Sequence, residues 1–212
     1  MISEKRTAKF EQVVNCRQGN LTVVLENVHD PHNIGAVLRT CDSIGIKEIF
    51  VLYTDPNLSV EKLYLGKNAS SGARKWIDVH FYTELEPCFA HLRKNYDTIL
   101  CTHLSEDAKS LHDLDLTASV ALVFGNERDG ITPESLALAD GNFLIPQVGM
   151  VQSLNISVAC AVSLYEAFRQ RNVKGFYTDN TTTTPAEKTA LLKEFKQKHE
   201  QKFTNNKVKK KD

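Results

Sequence analysis

The chain has 212 residues, 42% of them apolar and 25% charged, with a formal net charge of zero. That is the composition of a globular protein with one sizeable domain and room for tails, not of a disordered chain. No apolar run is long enough to span a membrane, so a cytoplasmic protein is expected.

The N-terminus, MISEKRTAKF, lacks the apolar core of a signal peptide. Residues 4–17 suit a short helix with Arg6, Lys9 and Arg17 on its surface. LTVVLENV (21–28) is a run of β-branched and apolar residues and predicts a buried strand. HDPHN (29–33) is a turn. A helix is expected from about Asn33 to Ser43, stopped by Gly45 as a C-terminal glycine would stop it. EIFVLY (48–53) is a second strand, followed by a turn and a short amphipathic piece, SVEKLYLG. ASSGARKWIDVHFY (69–82) is a glycine-containing loop entering a third strand. A helix near Glu84–Asn95 leads to a fourth strand, DTILCTH (97–103). SVALVFGNE (119–127) is the fifth strand, a short helix near Pro133–Ala139 follows, and NFLIP (142–146) is the sixth. A polar loop then feeds a helix with apolar Val158, Ala161, Val162, Leu164, Tyr165 and Phe168 near the spacing of one helical face. That face should be buried, in the core or against another chain. Arg169 and Arg171 at its end suit the negative end of a helix dipole.

This alternation predicts an α/β fold with a mostly parallel six-stranded sheet flanked by helices. A basic helical arm over 1–19, a central domain over 20–177 and a basic extension over 178–212 complete the organisation. In the extension TDNTTTT reads as a linker, Pro185 starts a lysine-rich helix to about Phe203, and NNKVKKKD is too polar to fold.

Zero net charge hides an asymmetry. Residues 21–170 carry eleven basic and nineteen acidic groups, whereas the two ends together are eight charges positive. Basic arms on an acidic core point either to a polyanionic partner or to a tail that only solubilises. The five cysteines are scattered with no CxxC pair, and the seven histidines show no HxxxH spacing. Neither a disulfide framework nor a metal site is expected.

Three clusters stand at strand ends, where open α/β sheets bind ligands. The first is Asn33-Ile34-Gly35 through Arg39. Asn33 occupies a position suited to capping the helix, and Arg39 lies on an otherwise apolar helix. A buried or half-buried arginine must find an anion, either a ligand or a structural partner such as Glu127. The second is Gly125-Asn126-Glu127-Arg128-Asp129-Gly130, a tight backbone-exposing loop that is neither GxxxxGK[ST] nor GxGxxG. The third is Ile145-Pro146 through Gly149 to Ser153-Leu154-Asn155. Here Ser153 is a candidate cap, which leaves Asn155 without an obvious partner.

In this order the clusters resemble the three motifs of the SpoU (TrmH) family of RNA ribose 2′-O-methyltransferases, in the SPOUT superfamily. The likeness covers roughly residues 8–178. Stretches such as ENVHDPHNIGAVLRT, CTHLS, ESLALAD and GMVQSLNISVA, together with the short basic arms, look most like members that methylate guanosine 18 in the tRNA D-loop. Gln147 stands where the family commonly has methionine.

The resemblance implies a deep C-terminal trefoil knot, an exception to the rule against knots. It also implies a homodimer built on the helices around the first and third motifs, S-adenosyl-L-methionine as cofactor, tRNA as partner, and no metal. Arg39 would be the central catalytic residue, with Asn33, Glu127, Ser153 and Asn155 positioning it, the cofactor loop and the RNA. Thr102, Gly125, Ile145 and Leu154 would hold the cofactor. The competing readings are a methyltransferase for another tRNA or ribosomal RNA ribose, and a non-catalytic RNA-binding member of the fold.

Overall fold

The computed structural model describes residues 2–58, 70, 72–178 and 181–201. SVEKLYLG and NNKVKKKD lie outside the described residues. The first helix, α1 (Glu4–Asn15), precedes β1 (Leu21–Glu26), α2 (Pro31–Ser43) and β2 (Glu48–Leu52). Then come β3 (Asp78–Tyr82), α3 (Leu85–Asn95), β4 (Thr98–Thr102) and β5 (Lys109–Ser110). β6 (Val120–Phe124), α4 (Pro133–Leu138), β7 (Gly141–Leu144), α5 (Ile156–Val173) and α6 (Pro185–Glu200) follow.

Among the described residues the sheet has seven strands, not the six expected, in the order β3-β2-β1-β6-β4-β7-β5. Every neighbouring pair is parallel. The additional strand is β5, two residues on the edge beside Phe143 and Leu144. Two residues carry no periodicity, so no pattern in the sequence marks them.

Helices cover both faces, which is why β1 and β6 are buried throughout and read as continuous apolar runs. Val23, Leu25 and Leu122 pack with Ile34, Val37 and Leu38 of α2 and with Cys160, Leu164 and Ala167 of α5. Val24, Phe50 and Val123 pack with Cys88, Phe89 and Leu92 of α3 on the other face. Each Val, Leu, Ile or Phe side chain among them stabilises the fold by roughly 1.5–3 kcal/mol on full burial.

A third, smaller cluster joins α1 to α6 through Phe10, Val14, Leu191 and Phe195, with Trp76 against it. Arg17, expected on the surface, is buried there instead. Its guanidinium donates to Ile46 O at 2.7 Å, to Asp42 Oδ1 at 2.8 Å and to Trp76 O at 3.2 Å. Two of those acceptors are backbone carbonyls brought in by distant turns, so nothing in the local sequence announces the burial.

β1 lies between β2 and β6, so the chain leaves it towards opposite edges of the sheet on its two sides. The crevice beyond such a switch point is where parallel sheets take ligands. The turn into α2 and the loop after β6 meet there. Gly45 follows α2 with φ +87°, and a Cβ on it would lie 2.3 Å from Cys16 O, so only glycine fits. Among the described residues no helix is long and apolar enough to cross a membrane.

Candidate functional site

The first cluster enters on α2. Asp30, not Asn33, caps this helix, its carboxylate accepting from His32 N at 2.8 Å. Pro31 holds the first helical position, where its missing N–H costs nothing. Asn33 is therefore inside the first turn with its amide free for other work. Just upstream, Asn27 adopts φ +53°. Its Oδ1 accepts from Thr54 N at 2.9 Å and Asp55 N at 3.1 Å, tying the end of β1 to the end of β2. A buried asparagine can hold that left-handed turn, and it sets where α2 begins. The -N-V-H-D-P- run was the available signal for it.

The second cluster follows β6. A Cβ on Gly125 would lie 2.1 Å from the carbonyl atoms of Gly130, so the loop closes only with glycine. Asn126 Oδ1 accepts from the backbone N–H groups of Arg128 and Asp129 at 2.9 and 2.8 Å. Gly130 takes φ +72°. The loop presents Glu127 outward. Beneath it the buried Glu26 carboxylate accepts from Thr132 Oγ1 at 2.6 Å and Ser135 Oγ at 2.7 Å, pinning the start of α4.

The third cluster starts α5. The cap is Asn155, not Ser153: its Oδ1 accepts from Ser157 N at 3.0 Å and Ser157 Oγ at 2.6 Å. With Oδ1 committed, the amide Nδ2 points out of the helix. Ser153 is exposed two residues earlier.

These three segments converge. Asn33 Nδ2 donates to Glu127 Oε1 at 2.6 Å. Asn155 Nδ2 donates to Asn33 Oδ1 at 3.2 Å and reaches Glu127 Oε1 at 3.5 Å. Asn155 thus has partners that its apolar sequence surroundings did not suggest. Among the described residues Glu127 binds two amides and no cation, so the expected alternative of an Arg39–Glu127 ion pair is not formed. Among the described residues Glu127 Oε2 has no partner and remains free to accept from a ligand.

Arg39 is exposed, not buried, and makes no hydrogen bond or ion pair with any described residue. It lies six residues after Asn33 on α2, about 9 Å along the axis and roughly 120° round it. The triangle and Arg39 thus occupy different faces of one helix. Arg39 instead borders a cavity of about 240 Å³ with Asp42, Ser43, Ser70, Gly72, Ala73 and Trp76.

Thr102, Gly125 and Ile145 stand at the C-terminal ends of the neighbouring strands β4, β6 and β7. Thr102 Oγ1 donates to Val123 O at 3.2 Å, and Ile145 packs on the core. Leu154 is half-buried just before the α5 cap. The loop between Ile145 and Leu154 is drawn together by Gln147 Nε2 donating to Gln152 O at 3.3 Å, and Val148 and Met150 on it are fully exposed.

On α5 the apolar face expected to be buried is split. Leu164 is buried, whereas Val158, Val162 and Tyr165 form an exposed stripe. The core instead takes Cys160, Ser163 and Ala167, small residues that let α5 approach α2 closely. Tyr165 OH lies 3.3 Å from Ser43 Oγ, so the stripe runs to the edge of the Arg39 cavity. Among the described residues no group of three or more His, Cys, Asp or Glu could hold a metal ion.

Residues 20–165 match the model of the SpoU rRNA Methylase family. A Thermus thermophilus relative named tRNA (guanosine(18)-2′-O)-methyltransferase is 43% identical over 175 residues, covering 82% of this chain and 88% of the relative. A solved Aquifex aeolicus TrmH/SpoU tRNA modifying enzyme superposes with a TM-score of 0.83 at 32% identity, covering 94% of this chain and 98% of that one. An AdoMet-bound rRNA methyltransferase from Sinorhizobium meliloti superposes with a TM-score of 0.62 at 28% identity, covering 75% and 59%.

Proposed function

The chain belongs to the SpoU methylase family, and from that premise we propose that it transfers the methyl group of S-adenosyl-L-methionine to the ribose 2′-hydroxyl of guanosine 18 in the tRNA D-loop. The observation that carries the reading is the Asn33–Glu127–Asn155 network, which ties the three family motifs into one polar site. The tRNA target is favoured over ribosomal RNA by similarity. The likeness is greater to the Thermus tRNA enzyme, at 43% identity, and to the Aquifex tRNA modifying enzyme, at a TM-score of 0.83, than to the Sinorhizobium rRNA enzyme, at 28% identity and a TM-score of 0.62.

The strand ends fit the cofactor. Backbone groups after β4, β6 and β7 suit the polar edge of adenine, and exposed Val148 and Met150 with Leu154 suit its faces. Thr102, Gly125, Ile145 and Leu154 would hold it. When bound, the cofactor supplies an electrophilic methyl on sulfonium.

The chain must remove a proton from a poorly acidic hydroxyl and align it. A guanidinium offers donors and no acceptor, so Arg39 does not take the proton itself. It binds the adjoining phosphate and stabilises the developing alkoxide while a phosphate oxygen takes the proton. Asn33, Glu127, Ser153 and Asn155 orient the ribose and the cofactor loop.

Arg39 and the triangle face different ways on α2. The exposed Val158–Val162–Tyr165 stripe is therefore read as a homodimer surface, with each site sharing residues of both subunits. The loop from Ile145 to Leu154 is read as part of a trefoil knot, and the basic ends as tRNA-binding arms in a cytoplasmic enzyme.

The test is methyl transfer from labelled cofactor to a tRNA transcript, compared with the same transcript carrying 2′-deoxyguanosine at position 18. Label on the first and none on the second is expected. Equal labelling of both would reject this target.

A further inference from the structure

Most of β1 is apolar, as a strand covered on both faces should be. Its last residue is not. Glu26 is fully buried, on the same face of the sheet as Val24, which packs against α3. Burial first, and Glu26 second, push the nearby thiols of Cys88 and Cys101 up to about 12, so the surroundings are dry. Among the described residues all its hydrogen bonds come from neutral groups. Thr132 N donates at 3.2 Å, Thr132 Oγ1 at 2.6 Å and Ser135 Oγ at 2.7 Å.

Burying a carboxylate without a cation is costly, and an apolar set of like volume would hold α4 about as well. Stability alone therefore does not account for Glu26. The loop it holds gives a better account. Residues 126–130 close into a ring: Gly130 N donates to Asn126 O at 3.0 Å, and Asn126 Oδ1 accepts from Arg128 N and Asp129 N. The ring leaves β6 through Gly125 and returns to the core through Ile131 and Thr132. β6 fixes its first end. At the second, Ile131 packs in the core, but apolar contact is non-directional. The bonds to Glu26 supply the direction. Glu26 is itself on a braced turn, since Asn27 beside it binds Thr54 N and Asp55 N at the end of β2.

We propose that Glu26 is a positioning residue for the cofactor: its three hydrogen bonds set the angle of the 125–130 loop and so place Gly125 and Glu127 for S-adenosyl-L-methionine. The proposal rests on the methyl-transfer reading above and adds to it a buried residue outside the three clusters.

Two variants separate positioning from stability. Glu26→Met keeps the length of the side chain, removes the acceptor and leaves Thr132 N–H without a partner. Glu26→Gln can keep all three bonds. Its carbonyl accepts from Thr132 N, and its amide donates to the two hydroxyls, which accept as well as donate. Calorimetry should show S-adenosyl-L-methionine binding about tenfold weaker in Glu26→Met and within about twofold of wild type in Glu26→Gln, the scale of one lost hydrogen bond to a charged group. Affinity for tRNA should be unchanged in both, because the basic ends are untouched.

A lower melting temperature for Glu26→Met with wild-type cofactor affinity of the folded protein would overturn the proposal. Equal weakening in both variants would also overturn it, by assigning the effect to charge rather than to the hydrogen bonds. If Glu26→Met does not fold, Ser135→Ala decides. Removing that donor should weaken cofactor binding about threefold, and unchanged binding would overturn the proposal. Wild-type protein that binds no S-adenosyl-L-methionine would instead reject the parent function, so the two failures are separable.

Discussion

Two arginine-bearing regions of this molecule are opposites. At the end of α5, Arg171 is buried and fully occupied. It donates to the carbonyls of Leu116, Asn20 and Ala118 and to the side chains of Gln18 and Asn20, at 2.7 to 3.3 Å. Burial lowers its pKa to about 10, which still leaves it charged at neutral pH. In the middle of α2, Arg39 is exposed and binds no described residue. The fold uses the first and does not need the second. A cation kept on an otherwise apolar helix without a structural partner is available to a ligand.

The largest expected effect breaks the comparison on the Arg39 side. Arg39→Ala should lower methyl transfer to tRNA by roughly 10²–10³-fold, the scale of losing one preorganised donor to a developing oxyanion. Its melting temperature should stay within about 1–2 °C of wild type, because no hydrogen bond or ion pair to a described residue is lost. A large drop in melting temperature would show that Arg39 is structural after all. Arg171→Met should do the reverse. It removes five hydrogen bonds, those to Leu116 O and Gln18 Oε1 fully buried, and should cost about 3 kcal/mol or more, roughly 6–12 °C for a chain this long. Its specific activity per folded molecule should be nearly unchanged.

How much of this contrast was legible in the sequence is uneven. The buried strands were, because a parallel sheet covered on both faces forces continuous apolar runs such as Leu21–Leu25 and Val120–Phe124. The clusters at 33, 127 and 155 were also visible, as an asparagine suited to a cap, a glycine-bracketed loop and an asparagine without an obvious partner. Their contacts were not, since residues 94 and 122 positions apart meet only through the strand order. The two caps were misassigned by two or three residues. At Asp30 the following proline was a usable signal; at Asn155 asparagine and Ser153 have nearly equal cap preference, and only the geometry of Ser157 decides. Arg17 and Arg171 look like surface charges in sequence because most of their acceptors are backbone carbonyls, which no residue letter records. The apolar spacing on α5 predicted a face buried in the core or against another chain. The structure buries small residues there instead and leaves Val158, Val162 and Tyr165 exposed.

A smaller effect sharpens the polar side of the comparison. Glu127→Gln keeps an acceptor for Asn33 and Asn155 but removes the charge. Activity should fall about tenfold, in the range of residues that orient others rather than react. The melting temperature should not move, because the network lies on the surface. Full activity would show that the carboxylate is only a hydrogen-bond acceptor within the triangle.

The smallest effect lies next to Arg171 on α5, where Glu166 receives the Arg169 guanidinium at 3.0 and 2.7 Å and Gln170 Nε2 at 2.9 Å. The Arg169 hydrogen bonds, aided by Gln170, hold its pKa at about 2, below the ordinary 4.5. A carboxylate with a lowered pKa in the folded state contributes stability that is fully present above the unfolded value. That contribution fades as the unfolded chain takes up its proton. Glu166→Gln should therefore melt roughly 1–3 °C below wild type at pH 7, a small gap because the pair is solvent-screened. The gap should narrow as pH falls from 4.5 towards 2 and vanish below that. A gap that persisted undiminished at pH 2 would mean that Glu166 acts through shape rather than charge. In that case the end of α5 would be held by Arg171 and its carbonyl acceptors without help from the neighbouring ion pair.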